Sequence, residues 1–536
     1  MQHDTSQIGG IDVVVLLVYL AATVALGLWV GRGQRNLDGY LLGGRNLPWW
    51  AILGSVVATE TSTATFLSVP GIAFAHETGD MRFLQLSLGY VVGRTIIVYL
   101  LLPQFFRGNL STAYEVLHER FGGATQRTAS LVFLVTRNLG DGLRLFLTAM
   151  ALHVAIGWTL PGCVFVIGVA TIVYTMIGGM KSVVWNDCVQ LLVYMTGGLV
   201  VAWVLLDRIP NGWSQFLEFG LAQEKFVVFD FAGFWPNPGA FPWSDPYTFC
   251  AGLVGGAFLT LGTHGTDQMM VQRYLAARSQ RAAGIALLCS GFVVMLQFAL
   301  FLLLGVGLAC FYEEVRPDVV INRNDEALAT FVVHELPRNI GLVGLLLAAI
   351  FAAAMSTLSS SLNSSASAVV HDFLKRRDDH KHQEGRLLNW SRGLTVVFGV
   401  IQMVIALLAV QVSRNVVGEA LAIAGFSAGL LLGLFLLGVC TQRVAQRHAL
   451  IGLMIGLAGL LFVKFGPPLF VTFALPLVVN YASPPVVDYI RTAFDWNIAW
   501  PWLPVIGSGL TFGAGLLASY LVPGKKGAGI NSQNGP

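Results

Sequence analysis

The 536-residue sequence predicts an all-α polytopic membrane protein with about thirteen transmembrane helices. Three observations carry that prediction. Charged residues make up 11% of the chain, where a soluble domain carries about a quarter. Apolar residues make up 55%, and the mean hydropathy is +0.69. The apolar residues also gather into runs long enough to cross a bilayer core, which takes roughly 20 residues per helix. This composition excludes a soluble enzyme, a nucleic-acid binder and a disordered scaffold. The six cysteines are scattered without metal-ligand spacing, so neither a disulfide framework nor a zinc site is expected.

The runs lie near residues 11–31, 48–75, 83–106, 129–156, 160–179, 183–206, 247–266, 283–311, 341–370, 391–412, 417–440, 448–465 and 503–522. They are numbered spans 1 to 13 in that order. The first is too long for a removed signal peptide and lacks a small-residue cleavage site. An odd number of spans puts the termini on opposite sides. With the N-terminus outside, twenty Lys and Arg fall in cytoplasmic loops, among them Arg273, and nine fall opposite. The positive-inside rule therefore predicts N-out, C-in.

The expected organisation is an extracytoplasmic tail (1–10), one transmembrane domain (11–522) and a short disordered cytoplasmic tail (523–536). Within the domain, a core over 48–206 and 247–440 is flanked by peripheral spans 11–31, 448–465 and 503–522. The loops 207–246 and 312–340 are long enough for short helices, and Leu469–Val479 reads as an interfacial or re-entrant piece.

Polar groups inside a span are costly and need a reason. Span 2 carries Thr59-Glu60-Thr61-Ser62-Thr63 and Thr65 at its middle, followed by Pro70-Gly71. Ser and Thr compete for backbone hydrogen bonds, so this segment predicts a broken helix. Its freed carbonyls suit a cation, and its half-helix N-terminus suits an anion. The bland reading is that the hydroxyls bond back and merely bend the helix. Span 9 carries a stripe in which residues 353, 356, 357, 360 and 364 share one face; it could glue helices together or supply oxygens to a hard cation. Asp187 in span 6 is either paired with Lys181 or an anionic ligand. In span 4, Arg137, Asp141 and Arg144 form an ion network. Arg144 is the candidate to read a substrate carboxylate, with Arg94 in span 3 as its rival. Glu60 is either protonated or paired with one of these arginines. No hydrolase elbow, nucleotide loop or zinc-protease motif occurs, so no enzyme is indicated. His371, His380 and His382 read as loop surface.

Several blocks together resemble the sodium:solute symporter family. They are Tyr40–Arg45 with Trp49-Trp50, Ser68–Gly71, Ile177–Gly179 with Val184–Asp187 and Gln190, Gly265–Gln268 with Val271–Leu275, and Ser356–Leu358 with Leu362–Ser364. The resemblance covers residues 10–525. It implies two inverted five-helix repeats (spans 2–6 and 7–11) of the bacterial leucine transporter type, with spans 2 and 7 broken. It implies Na+ as the coupling ion, held by Ala58, Thr61, Ala353, Ser356 and Thr357, with a possible second sodium at Asp187, Ser359 and Ser360.

The solute would sit between spans 2, 4, 7 and 11. Candidate pathway residues are Glu60, Ser62, Thr63, Asp141, Arg144, Thr260 and Thr263. Gly142–Phe146 is similar to proline-type carriers and points to a carboxylate-bearing small organic solute. The implied function is sodium-coupled import by alternating access through a plasma (bacterial inner) membrane. The implied partners are that solute and the lipid bilayer, with no nucleic acid and no obligate protein partner. A proton-coupled carrier of the same fold, or a sodium symporter of sugars or neutral solutes, is the alternative.

Overall fold

The computed structural model describes residues 9–32, 36–76, 78–108, 110–232, 243–337, 339–374, 384–409, 416–469 and 498–522. Among these there is no strand, only one isolated bridge between Leu47 and Ala277. Each of the thirteen apolar runs contains described helix, the tenth as far as Ala409. Among the described residues nine helices are long and apolar enough to cross a bilayer, and a bent pair in span 2 makes a tenth. Helix Leu160–Arg208, at 49 residues, is about twice the length a bilayer core takes. It holds spans 5 and 6, divided at Gly179, whose φ of 55° and ψ of −156° only glycine adopts without strain. Span 4 (Gly123–Ile156) carries the buried charges, and span 7 is short because it too is interrupted.

The two breaks are local events with readable causes. In span 2, helix Trp49–Glu60 stops, Thr61 leaves the helical conformation, Ser62 takes extended backbone, and Thr63–Phe74 resumes at an angle of 58°. In span 7, a wide helical turn (Ala251–Gly255) leads into Gly256–Gly265. Thr266 and Asp267 leave the helix, and Gln268–Leu275 restarts with the Asp267 carboxylate accepting from Met269 N at 2.8 Å. The signature block at 265–275 therefore spans the second break and the helix after it.

Small residues let the spans close up, as expected where lipid gives no hydrophobic drive between helices. A Cβ on Gly305 of span 8 would lie 2.1 Å from the Pro70 carbonyl of span 2. Span 9 (Leu342–Val369) is buried over almost its whole length and packs most heavily on spans 5 and 6. Its start is tied to span 1: the buried Asp12 carboxylate accepts from Asn339 N (2.8 Å) and Gly344 N (3.3 Å). That end, near the first described residue, is called the N-face, and the end near Val522 the C-face. Large apolar side chains such as Trp29, Leu192, Trp203 and Leu296 remain exposed around the girdle, where lipid would cover them.

The loop over 207–246 contains helix Trp213–Ala222, and the loop over 312–340 contains Ala327–His334, as their lengths predict. The interfacial piece read at Leu469–Val479 (beyond Leu469), His380 and His382, and the two terminal tails apart from residues 9 and 10 lie outside the described residues. The six cysteines are free.

Candidate functional site

The break in span 2 rearranges backbone hydrogen bonds in a specific way. Ser62 N–H turns to the Glu60 carbonyl (3.1 Å), so the Ala58 carbonyl loses the donor four residues on. Span 9 lies directly opposite. Thr357 Oγ1 donates to the Thr59 carbonyl at 3.0 Å, and Thr63 Oγ1 donates to the Ile350 carbonyl at 3.2 Å. Ala58, Thr61, Ala353, Ser356 and Thr357 are all buried around this junction. The Thr61 hydroxyl bonds back to the Val57 carbonyl (2.9 Å) and pairs with the side-chain amide of Gln297 on span 8. Gln297 was missed in the sequence. Its signal was available: a lone amide in the apolar run 291–305.

Toward the C-face the hydroxyl stripe meets a cation. Asp187 is fully buried, and its cationic partner is Arg273 rather than Lys181, with Nη2 to Oδ2 at 3.2 Å. Ser356 Oγ donates to Asp187 Oδ1 at 2.6 Å, and Ser55 Oγ donates to Oδ2. Arg273 also donates to Thr59 Oγ1 at 2.5 Å, to Ser360 Oγ, and through Nε to Ser55 Oγ at 2.8 Å. Arg273 is 1% exposed. Counting it with the loop arginines is therefore corrected: its position beyond an apolar run suggests a loop, but the restarted helix Gln268–Leu275 carries it inward. Ser359 donates to the Ser356 carbonyl (3.1 Å).

Toward the N-face the structure holds a cavity of about 190 Å³ between spans 2, 3, 4, 7 and 11. Glu60, Ser62, Thr263, His264, Asp267, Arg137 and Arg144 supply its polar wall; Val69, Ile72, Phe83, Tyr90, Phe298 and Trp500 supply much of the apolar one. Three guanidiniums and three carboxylates stand in or behind it. Arg94 is spent on Glu60 and on Ser290 Oγ (2.6 Å), with His264 Nε2 3.5 Å from Glu60. Of the alternatives open for Glu60, the structure places it in an ion pair. Arg137 is divided between Asp141 (3.5 Å) and Asp267 (3.6 Å). Arg144 holds Asp141 at 2.8 Å, but that carboxylate is shared with Arg137. Arg144 is also the most exposed of the three, at 21% of its side chain.

Asp141, Thr63 and Thr260 stand one layer behind the wall. Thr148 Oγ1 donates to Thr63 Oγ1 (2.9 Å), and Thr260 Oγ1 lies 3.2 Å from His264 Nδ1. Among the described residues no three His, Cys, Asp or Glu side chains gather as a transition-metal site. The oxygen-rich junction suits a hard alkali cation instead.

Comparison with known proteins identifies the family and the fold. The profile of the sodium:solute symporter family matches residues 40–456. The human sodium/iodide cotransporter is 30% identical over 475 residues, covering 86% of this chain and 70% of its own. Human sodium-coupled monocarboxylate transporter 2 is 29% identical over 85% of this chain and 72% of its own. A Na+-coupled sialic acid symporter, solved in a substrate-bound outward-open state, superposes with a TM-score of 0.81 at 26% identity. That match covers 96% of this chain and 98% of the other. These relatives are transporters, not enzymes.

Proposed function

We propose, from the premise that this chain belongs to the sodium:solute symporter family and is a sodium-coupled symporter of a small organic solute across a membrane, that the solute bears a carboxylate read by Arg144. The observation that carries this reading is the uneven commitment of the three arginines. Arg94 shares its carboxylate with no other arginine, Arg137 has two halves, and Arg144 has only a share of Asp141 while facing the cavity. A planar guanidinium with donors to spare takes a carboxylate in bidentate fashion. Sialic acid and monocarboxylates, named for two of the relatives, are carboxylates, and iodide, named for a third, is also an anion. The apolar wall then takes the rest of the solute.

The coupling sodium sits at the junction of spans 2 and 9, on the Ala58, Thr61 and Ala353 carbonyls and the Ser356 and Thr357 hydroxyls. Ion and solute share the broken span: Ala58 and Thr61 face the ion, Glu60 and Ser62 the cavity. Binding one orders the segment for the other, and that coupling drives uptake by alternating access. Without Arg273 the loop arginines and lysines still divide nineteen to nine, which supports an N-face outside; the membrane is read as the plasma (bacterial inner) membrane. The cavity then lies on the outer side of the Arg273–Asp187 pair.

A thermal-shift panel of carboxylates, sugars and amino acids, with and without sodium, tests the reading. Carboxylates are expected to stabilise the protein only with sodium present. Arg144→Gln is expected to weaken that response about 10- to 100-fold, in line with 1.5–3 kcal/mol for a charged hydrogen bond. Stabilisation by neutral sugars and by no carboxylate would remove Arg144 from its role. Uptake driven by pH at zero sodium would select a proton carrier; against that stands the pairing of both candidate carboxylates, Glu60 and Asp187, with guanidiniums.

A further inference from the structure

Ser62, Thr65, Ser68, Val69 and Ile72 recur at helical spacing, so one face of the outer half of span 2 lines the cavity along its length. Its two ends are held differently. At the break, Thr63 Oγ1 reaches the Ile350 carbonyl of span 9. At the far end, 12 residues and about 18 Å away, the holding group is Lys225, and the transport reading gives it no task. Its Nζ donates to the Ala75 carbonyl at 2.6 Å and to the His76 carbonyl at 3.2 Å. A helix leaves its last carbonyls without partners, and its C-terminus favours a cation. Lys225 is 2% exposed, with Glu313 and Asp80 attracting it at longer range.

The lysine is itself anchored. Its backbone N–H closes helix Trp213–Ala222 on the Gly220 carbonyl (2.8 Å), after Glu224 turns the chain at a φ of 53°. The next ring, Phe226, lies 5.6 Å from that of Phe216, which is 3% exposed. Phe216 is seated beside spans 6 and 8: a Cβ on Gly307 would lie 2.7 Å from Leu205 and 3.7 Å from Phe216. Met81 N–H donates to the Val227 carbonyl (3.1 Å), so the same stretch also holds the turn after span 2. A rod hinged at one end and free at the other loses an ordering event at the hinge to tilt and fraying. Pinned at both ends, it passes that event along its length.

We propose that Lys225 is a positioning residue for transport: it pins the outer end of broken span 2 to the loop helix seated on spans 6 and 8. Sodium bound at the break then orders the whole cavity-facing half of the span instead of its first turn alone. The proposal rests on the reading of the span 2–span 9 junction as the sodium site. It makes a residue that touches neither ion nor solute a carrier of the coupling between them.

The test is hydrogen exchange read by mass spectrometry on the purified full-length protein without solute, in sodium or in choline as the control cation. In the native protein sodium is expected to slow exchange over 58–64 and over 68–76 alike. In Lys225→Met, checked for monodispersity, sodium is expected still to slow 58–64, while its effect over 68–76 falls about tenfold. Lys225→Arg, which keeps a charged donor, is expected to restore that effect. A Lys225→Met protein in which sodium slows 68–76 as fully as in the native one would overturn the proposal. So would faster exchange there by one common factor in sodium and choline, the mark of a lost helix cap and nothing more. Should Lys225→Met fail to fold, Lys225→Gln keeps a donor without the charge, and the same outcomes decide. Thr357→Ala, at sodium near the native half-saturation point, separates the two readings. It is expected to shrink the response of both stretches together. If both stay native while Lys225→Met loses only the outer one, the ion lies elsewhere and the pin stands. A native protein in which sodium slows neither stretch would overturn both.

Discussion

At the scale of single residues, the molecule sorts its buried polar groups into two sets: those that satisfy one another, and those that leave capacity for a passenger. Thr357 belongs to the second set. Its hydroxyl reaches across to the carbonyl of Thr59, which the break has freed, while the neighbouring Ala58 carbonyl stands without a helical donor. Thr357→Ala is therefore expected to raise the sodium concentration for half-maximal uptake about 3- to 10-fold, the equivalent of one hydrogen-bond-sized interaction. Thr357→Ser is expected to stay close to the native value. An unchanged sodium dependence in the alanine variant would place the ion elsewhere.

At the scale of elements, the interruptions were legible and their long-range partners were not. Five hydroxyls and a carboxyl within seven residues announce that span 2 cannot run as a plain helix, and the period of the span 9 stripe assigns its hydroxyls to one face. Arg273 was misread because a basic residue just past an apolar run has the local signature of a loop. What buries it is Asp187, 86 positions earlier in sequence, and no local pattern encodes that meeting. Lys181 was the plausible partner for Asp187 only because it is near in sequence.

The same scale governs how tightly the spans mesh. Gly305 lets span 8 lie against the Pro70 carbonyl of span 2, and a side chain there would have to push two helices apart. Gly305→Val is expected to cost about 1–3 kcal/mol, typical of overpacking, and to lower the thermal unfolding midpoint. An unchanged midpoint would mean that spans 2 and 8 are free to part at that level.

At the scale of the whole molecule, the all-helical, many-span character was legible because composition and length suffice for it, and the fold class followed from the family's blocks. The arrangement around the two breaks is a tertiary fact. Span 9, buried nearly throughout, is held by spans 5 and 6 along its side and by span 1 at its start. Asp12 accepts from two backbone amides where that helix begins, and a carboxylate is favoured at a helix N-terminus. Asp12→Ala is expected to cost about 1–3 kcal/mol, the penalty for leaving buried donors unmade. It is also expected to weaken sodium binding in the same direction as Thr357→Ala, by less. Sodium-dependent stabilisation that is identical in the native and Asp12→Ala proteins would show that the start of span 9 is indifferent to its clamp.

That clamp decides which parts can travel together. Because the first helix grips span 9 at one end and lies along its supporting pair, these four are expected to act as the stator, with the interrupted helices and their neighbours as the rotor that swings against it. On that expectation a peripheral segment outside both candidate sites sets the axis of the stroke, and loosening it is expected to be felt as slippage between ion and cargo before it is felt as loss of either.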